Sequence, residues 1–321
     1  MLEKRVKMTA VRSLTATLVF MAIISAPSLS YAQGSADAST VPITTIVTVF
    51  GRKSAEPPQI TKHDVTVYSG KTRLNVVSWI PVQGAEPGLQ LAIVIDNSAG
   101  QFAVGGQLDS LADFISLQSR NTAVGVFYAA NGTVETASPF STDHDAVAKT
   151  LRLPLGLRSG ASPSVYLSIS DLVNHRWAPT GGPREVLLIS AGVDHLNQGP
   201  DSPYVDATVE DLQKAGVVIH TIYTGSRLSF GESLRGQNAQ DNLVKITDAS
   251  GGYGFFEGVA SPVSFNPYLQ RLNQILHNQY LLTFTIARDN KKKGELRGIV
   301  VHAEQHVTLK YPKEVLGPGA E

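Results

Sequence analysis

Three short stretches carry side chains that could do chemistry. "LAIVIDNSAG" (91–100) runs through apolar residues into Asp96 and then turns through Asn97, Ser98 and Gly100. A carboxylate and a hydroxyl two residues apart offer two hard oxygens, the donor type that Mg²⁺ or Ca²⁺ selects. The same Asp can instead serve its own backbone, because a turn carboxylate accepts N–H groups two residues on. "REVLLISAGVDHLN" (184–197) has a similar form, with Asp194 and His195 following an apolar run. "HAEQH" sets His302 and His306 four residues apart. That stretch is strand-like and lacks the His-Glu-x-x-His order that chelates zinc on a helix.

An enzyme should show a nucleophile with its base, a metal cage or a cofactor loop. "LISAG" lacks the first glycine of Gly-x-Ser-x-Gly, and "GGYG" (251–254) is a glycine turn without the rest of a phosphate loop. An Asp at a strand end also occurs in phospho-acceptor domains, but no companion acidic pair and lysine can be placed here. His195 reads as a solvated loop residue, residues 291–293 (Lys-Lys-Lys) as a hairpin tip, and Asn131-Gly132-Thr133 as a hairpin turn. No catalytic residue is expected. The chain carries 27 basic and 27 acidic residues, so nothing in its charge calls for nucleic acid.

The elements that position these residues follow from periodicity. "LQLAIVID", "TAVGVFYAA", "REVLLISAG" and "VVIHTIYTG" are near-continuous apolar runs, the pattern of parallel strands buried on both faces. Helical patterns lie between them: "GGQLDSLADFISLQS", "STDHDAVAKTLRL", "SPSVYLSISDLVNHRW", "YVDATVEDLQKAG" and "NAQDNLVKITDASGG". "YGFFEG" reads as a short strand and "NPYLQRLNQILHNQ" as a closing helix. This alternation predicts a doubly wound α/β domain over 88–280 with a mostly parallel sheet. "VPITTIVTVFG", "DVTVYS" and "RLNVVSWIPV" predict an N-terminal β module over 42–87 with three or four strands. "YLLTFTIA", "GELRGIVVHAE" and "HVTLKYP" predict an antiparallel β tail over 281–321. The two β segments are expected to pack together or to extend one sheet.

Residues 1–32 read as a secretory signal peptide. Lys4, Arg5, Lys7 and Arg12 precede the apolar run 14–26, which Pro27 breaks, and Ser30 and Ala32 stand at −3 and −1 of a cleavage site. The run is shorter than the ~20 residues a membrane span needs. Residues 33–41 read as a flexible leader. With no cysteine, the chain forms no disulfide and carries no N-terminal lipid anchor, so stability must come from its core. The expected location is exported, periplasmic or secreted, with no membrane span after cleavage.

The ordered set of motifs resembles an exported bacterial group of von Willebrand factor type A (VWA) proteins common in Acidobacteria. "ITKHDVTVYSGKTRLNVVSWIPV" (60–82) stands in the group's first β motif and "LAIVIDNSAG" in its Asp-x-Ser-x-Ser strand. "REVLLISAGVDHLN" stands in the Ser-Asp-Gly strand, "ASGGYGFF" (249–256) in the Gly-Gly segment, and "LNQILHNQYLLTFTI" (272–286) before the tail. The resemblance implies a Rossmann-like VWA sheet with a metal-ion-dependent adhesion site at its carboxyl edge. The family's ligands there are the Asp and two Ser of Asp-x-Ser-x-Ser, a loop Thr and a later Asp, with one position open for a partner's carboxylate.

Carried onto this chain, the implied ligands are Asp96, Ser98, Ser162 or Ser164, and Asp194. Gly100 lacks the third hydroxyl, and Ala191 stands where the later Asp is expected. A carboxylate ~4 Å from a divalent ion contributes up to ~8 kcal/mol at an effective dielectric of ~20, before desolvation. Its loss implies a degenerate site that holds Mg²⁺ or another divalent cation weakly or not at all. The resemblance therefore implies a non-catalytic module that binds a protein partner at the sheet's carboxyl edge. The alternatives are a Mg²⁺-dependent adhesion module, an exported hydrolase, or a solute-binding protein. The last would need a second lobe that the two β segments are too small to build.

Overall fold

A computed structural model describes residues 40–54, 56–99, 101–156, 164–177, 181–197, 202–225, 233–256, 258, 261–288 and 294–319. The predicted signal peptide and most of the leader, together with Gly100, Ser162 and residues 291–293, lie outside them. The chain begins with β1 (Thr40–Phe50), β2 (Val65–Ser69), β3 (Thr72–Pro81) and β4 (Gln90–Asp96). It continues through α1 (Gln101–Gly105), α2 (Leu108–Ser116), β5 (Ala123–Ala130), β6 (Thr133–Ser141), α3 (His144–Ala148) and α4 (Val165–Asp171). Then follow β7 (Arg184–Ser190), α5 (Pro203–Ala215), β8 (Val217–Tyr223), α6 (Ser233–Ser250), β9 (Gly254–Phe255) and α7 (Asn266–His277). The last elements are β10 (Gln279–Ala287), β11 (Leu296–Gly298), β12 (Val300–Ala303), β13 (Thr308–Lys310) and β14 (Glu314–Leu316).

One six-stranded sheet has the order β6-β5-β4-β7-β8-β9, parallel except for the antiparallel β5–β6 hairpin. Side chains alternate across it as the two-residue period of a strand requires. Leu91, Ile93 and Ile95 of β4 enter one apolar layer with Leu111 and Ile115 of α2 and Leu272 and Ile275 of α7. Ala92 and Val94 enter the opposite layer with Tyr166 and Ile169 of α4, Leu212 of α5 and Ile246 of α6. Each fully buried Leu or Ile contributes about 1.5–3 kcal/mol of transfer free energy. That burial on both faces explains why the strands read as unbroken apolar runs.

The edge strand β6 carries Pro139 and two register shifts against β5, devices that discourage pairing with another chain. Asn131 (φ 51°) and Gly132 (φ 77°) make the hairpin turn, the two positive φ values that a two-residue turn of this hand demands.

A second six-stranded sheet has the order β12-β2-β3-β10-β1-β13, and β11 pairs with β14. β10 lies between β3 and β1, so β1 meets the β2–β3 hairpin only through a strand that follows α7. Val47, Val67, Leu282 and Phe284 fill this sheet's own apolar layer, and Trp79 stacks on Tyr280 with ring centroids 4.6 Å apart.

Two expected helices change length. The run from 141 to 153 is helical only over α3, capped by Asp143 Oδ1 accepting from the Ala146 N–H (3.1 Å). Beyond it, the Tyr128 hydroxyl captures both the carbonyl and the N–H of Arg152 at 2.7 Å, which takes that residue's backbone out of any helical ladder. α4 starts at Val165, and its continuation through Leu172–Arg176 widens into a π turn.

Candidate functional site at the carboxyl edge of the parallel sheet

Counted from β4, the strand order is 3-2-1-4-5-6, which reverses between β4 and β7. Open α/β sheets bind ligands beyond the carboxyl ends of the strands at such a reversal. Asp96 closes β4 and Ser190 closes β7, so the two stand on either side of that point.

The Asp96 carboxylate is buried and fully engaged by the protein. Oδ1 accepts from the Ser98 N–H (2.8 Å) and the Ser98 hydroxyl (2.6 Å), an Asx turn closed by its own side chain. Oδ2 accepts from the Ser190 hydroxyl at 2.6 Å. Ser190 Oγ in turn accepts from the Gly192 N–H at 2.8 Å. Asn97 joins this edge to the loop after α3, its Oδ1 accepting from the Leu155 N–H (3.1 Å) and from Arg152 Nη1 (3.3 Å). The Arg152 guanidinium lies 3.7 Å from the Tyr128 ring centroid and pairs with Glu135 at 3.0 Å.

Asp194 is also buried but works on a different loop. Oδ1 accepts from the Leu196 N–H (3.0 Å), and Oδ2 accepts from the Ser202 hydroxyl (2.8 Å) just ahead of α5. Between the acids' fields stands Tyr166, whose hydroxyl donates to the Gly192 carbonyl at 2.7 Å. Burial, followed by the charges of Asp194 and Asp96, pushes the Tyr166 phenol well above its ordinary value, against a smaller opposing effect from its hydrogen bond with Asn242. Ser164 stands at the entry to α4, fully buried, its Oγ without a partner among the described residues.

The sequence-derived ligands thus divide. Asp96 and Ser98 meet directly, Asp194 is committed to Ser202 and Leu196, Ser164 is buried at a helix start, and Ser162 lies outside the described residues. Among the described residues no three His, Cys, Asp or Glu side chains group as a metal cage. The donor set suits a cation poorly. Mg²⁺ wants about six oxygens and gives up its waters reluctantly, whereas the Asp96 oxygens already hold three protein donors and Ala191 supplies no second acid. The sequence reading missed Ser190, Asn97 and Tyr166. "ISAG" did display Ser190, but its rotamer toward Asp96 follows from the β4–β7 pairing, which no local pattern reveals.

The sheet is that of a doubly wound, mostly parallel α/β fold. No known family profile and no curated protein matches the chain. Among solved structures it is similar to an aerotolerance-related membrane protein from Bacteroides fragilis, at 15% identity over 59% of this chain and 98% of that one, with a TM-score of 0.38. It is also similar to proximal thread matrix protein 1 of the mussel byssus, whose adhesion motif is zinc-occupied, at 13% identity over 62% of this chain and 48% of that one, TM-score 0.43. The ArnB paralog VWA2 of Sulfolobus acidocaldarius matches at 12% identity over 88% of this chain and 76% of that one, TM-score 0.34.

The carboxyl edge of the parallel sheet also presents apolar loop tips. Leu153, Leu155 and Leu196 are 43%, 52% and 46% exposed, and Val263, on the loop between β9 and α7, is 96% exposed. Three of the tips are held at their backbone by a buried polar side chain. Asn97 takes the Leu155 N–H, Asp194 takes the Leu196 N–H, and Gln107 donates to the Val263 carbonyl (3.0 Å) while accepting from the Phe265 N–H (2.8 Å).

Proposed function

We propose that this chain is a non-catalytic, exported VWA-type module that binds a protein partner through the carboxyl edge of its parallel sheet without a resident metal ion. The observation that carries the reading is the pairing of hydrogen-bonded buried polar side chains with exposed apolar tips. Asp96 spends its oxygens on Ser98 and Ser190, its neighbour Asn97 holds the backbone of exposed Leu155, and Asp194 holds that of exposed Leu196. Exposed apolar groups gathered on one edge and rimmed by polar residues mark protein interaction sites. Rigid presentation lowers the ordering cost of association. No helix among the described residues is long and apolar enough to cross a membrane. The antiparallel sheet built from residues before β4 and after α7 serves as the mount for the A-type sheet.

The test is a pulldown from cell-envelope extract with the chain lacking residues 1–32, beside a variant with Leu153, Leu155, Leu196 and Val263 all changed to Ser. The reading expects one protein to be retained by the parent in chelator and released by the variant. Retention that needs added Mg²⁺ would favour the metal-dependent adhesion module, and retention by the variant would move the interface elsewhere.

A further inference from the structure

We propose that the fork between β2 and β3 is a peptide-binding groove that takes an acidic, extended segment of a partner protein as an added strand. The groove lies on the antiparallel sheet, and none of its residues belongs to the carboxyl edge of the parallel one. β2 and β3 form a hairpin whose ladder runs from Ser69↔Thr72 only as far as Val67↔Leu74. Past that pair the two strands part. β2 keeps pairing through Thr66 and Val65, but with β12 on its other edge. β3 keeps pairing from Asn75 to Pro81, but with β10 on its other edge. The two edges that face each other across the fork therefore have no ladder partner among the described residues. A bare strand edge is a template for an incoming strand.

The fork encloses about 420 Å³, a volume in the range of ligand pockets. Its apolar wall is Val65, Leu74 and Val76, which also pack into the antiparallel sheet's own apolar layer. Its polar rim is Lys62, His63, Arg73 and Asn75, all exposed. The three basic side chains form no ion pair among the described residues, and no acid lines the groove. Asp64, the acid nearest in sequence, gives its Oδ2 to the Thr61 N–H and hydroxyl, each at 2.7 Å. Glu304 extends the β12 ladder, its N–H donating to the Asp64 carbonyl at 2.9 Å, so its backbone lies on the edge of β2 away from β3.

These features select both the form and the charge of the occupant. A strand sends alternate side chains to opposite faces. One set of an added strand's side chains meets the apolar wall, and the other meets the basic rim. The main-chain ladder then supplies affinity and the alternate side chains supply specificity. Basic residues at an edge repel a basic strand and draw an acidic one. The register shift at Val77, between Val76↔Phe284 and Ser78↔Thr283, bends β3 and ends its regular edge, so the added strand is short. A small anion alone would leave the edge amides and carbonyls unused.

The experiment is fluorescence anisotropy of the wild-type chain with a labelled hexapeptide of alternating Glu and Val. The groove predicts saturable binding that weakens about tenfold or more between about 0.05 and about 0.5 M salt. The combined variant Lys62→Glu, Arg73→Glu should bind about tenfold or more weakly, with an unchanged thermal midpoint because both side chains are exposed. A peptide with Lys in place of Glu should not bind. N-methylation of alternate peptide amides, which keeps the charge and removes the ladder, should weaken binding about tenfold or more. Absence of saturation up to about 1 mM overturns the proposal. So does equal binding of the Lys peptide, of the N-methylated peptide, or by the combined variant. Displacement of the acidic peptide by an equal concentration of inorganic phosphate would make the fork a small-anion site and overturn it as well.

Discussion

The Asp96 turn and the Glu185–His220 pair are both buried acids at sites where two strands of one sheet adjoin, and they differ in satisfaction. Every Asp96 oxygen has a donor, three in all from Ser98 and Ser190. Among the described residues, Glu185 has one bonded oxygen and one without a donor. A fully satisfied polar cluster rigidifies what surrounds it, whereas a buried polar atom left without a partner carries a desolvation cost. The first region ties its turn to the neighbouring strand end with every carboxylate oxygen engaged, whereas the second keeps one carboxylate oxygen without a donor among the described residues.

The largest expected effect is at Gly252, which packs against β8 beside the Glu185–His220 pair. Gly252→Ala forces a Cβ onto the Ile219 carbonyl, so the expected loss of stability is about 3 kcal/mol, read from a urea midpoint. Asp96→Ala should cost about 2–3 kcal/mol, because the Ser98 N–H and two hydroxyls lose their acceptor together. Ser190→Ala, removing one of those donors and the acceptor for the Gly192 N–H, should cost about 1–2 kcal/mol. A Ser190→Ala loss as large as that of Asp96→Ala would mean that the hydroxyl, and not the carboxylate, organises the edge.

Two acid–base effects sharpen the contrast on a smaller scale. The Tyr166 phenol is raised in the folded chain, so its contribution is full below the unfolded value near 10 and is lost as pH rises toward the folded value. Tyr166→Phe should lower stability by about 1 kcal/mol at neutral pH and flatten the alkaline decline seen by circular dichroism. At Asp171, burial works against ionisation, yet hydrogen bonds from Thr133, the Val134 N–H and Arg176 outweigh it and hold the carboxyl below its ordinary value. Its contribution is therefore present above about pH 4 and lost as pH falls through the folded value. Asp171→Asn should cost about 1 kcal/mol at pH 7 and almost nothing near pH 2.

Much of the fold was legible because burial on both faces writes itself into sequence. β4, β5, β7 and β8 stand where the apolar runs are, and Gly216 ends α5 with φ 64° as a helix-closing glycine should. The insertion of β10 between β3 and β1 was not legible, since pairing between strands some 200 residues apart leaves no local period. The break after α3 was hidden for a related reason: its cause is the Tyr128 hydroxyl, from a different strand. At the site, "DNSAG" announced its turn, and Asp96 makes that turn with Ser98. Its second partner, Ser190, and the anchoring of Leu155 by Asn97 depend on which loops the topology brings to one edge. "GGYG" looked like an ordinary turn and proves to be the place where two backbones approach too closely for any side chain.

The central claim is that the Asp96 edge is complete without a metal ion. Calorimetric titration of Mg²⁺ and Mn²⁺ into the chain lacking residues 1–32, beside Asp96→Ala, tests it most directly. The account predicts no heat of binding in either protein. Tight binding by the parent chain that Asp96→Ala abolishes would contradict it.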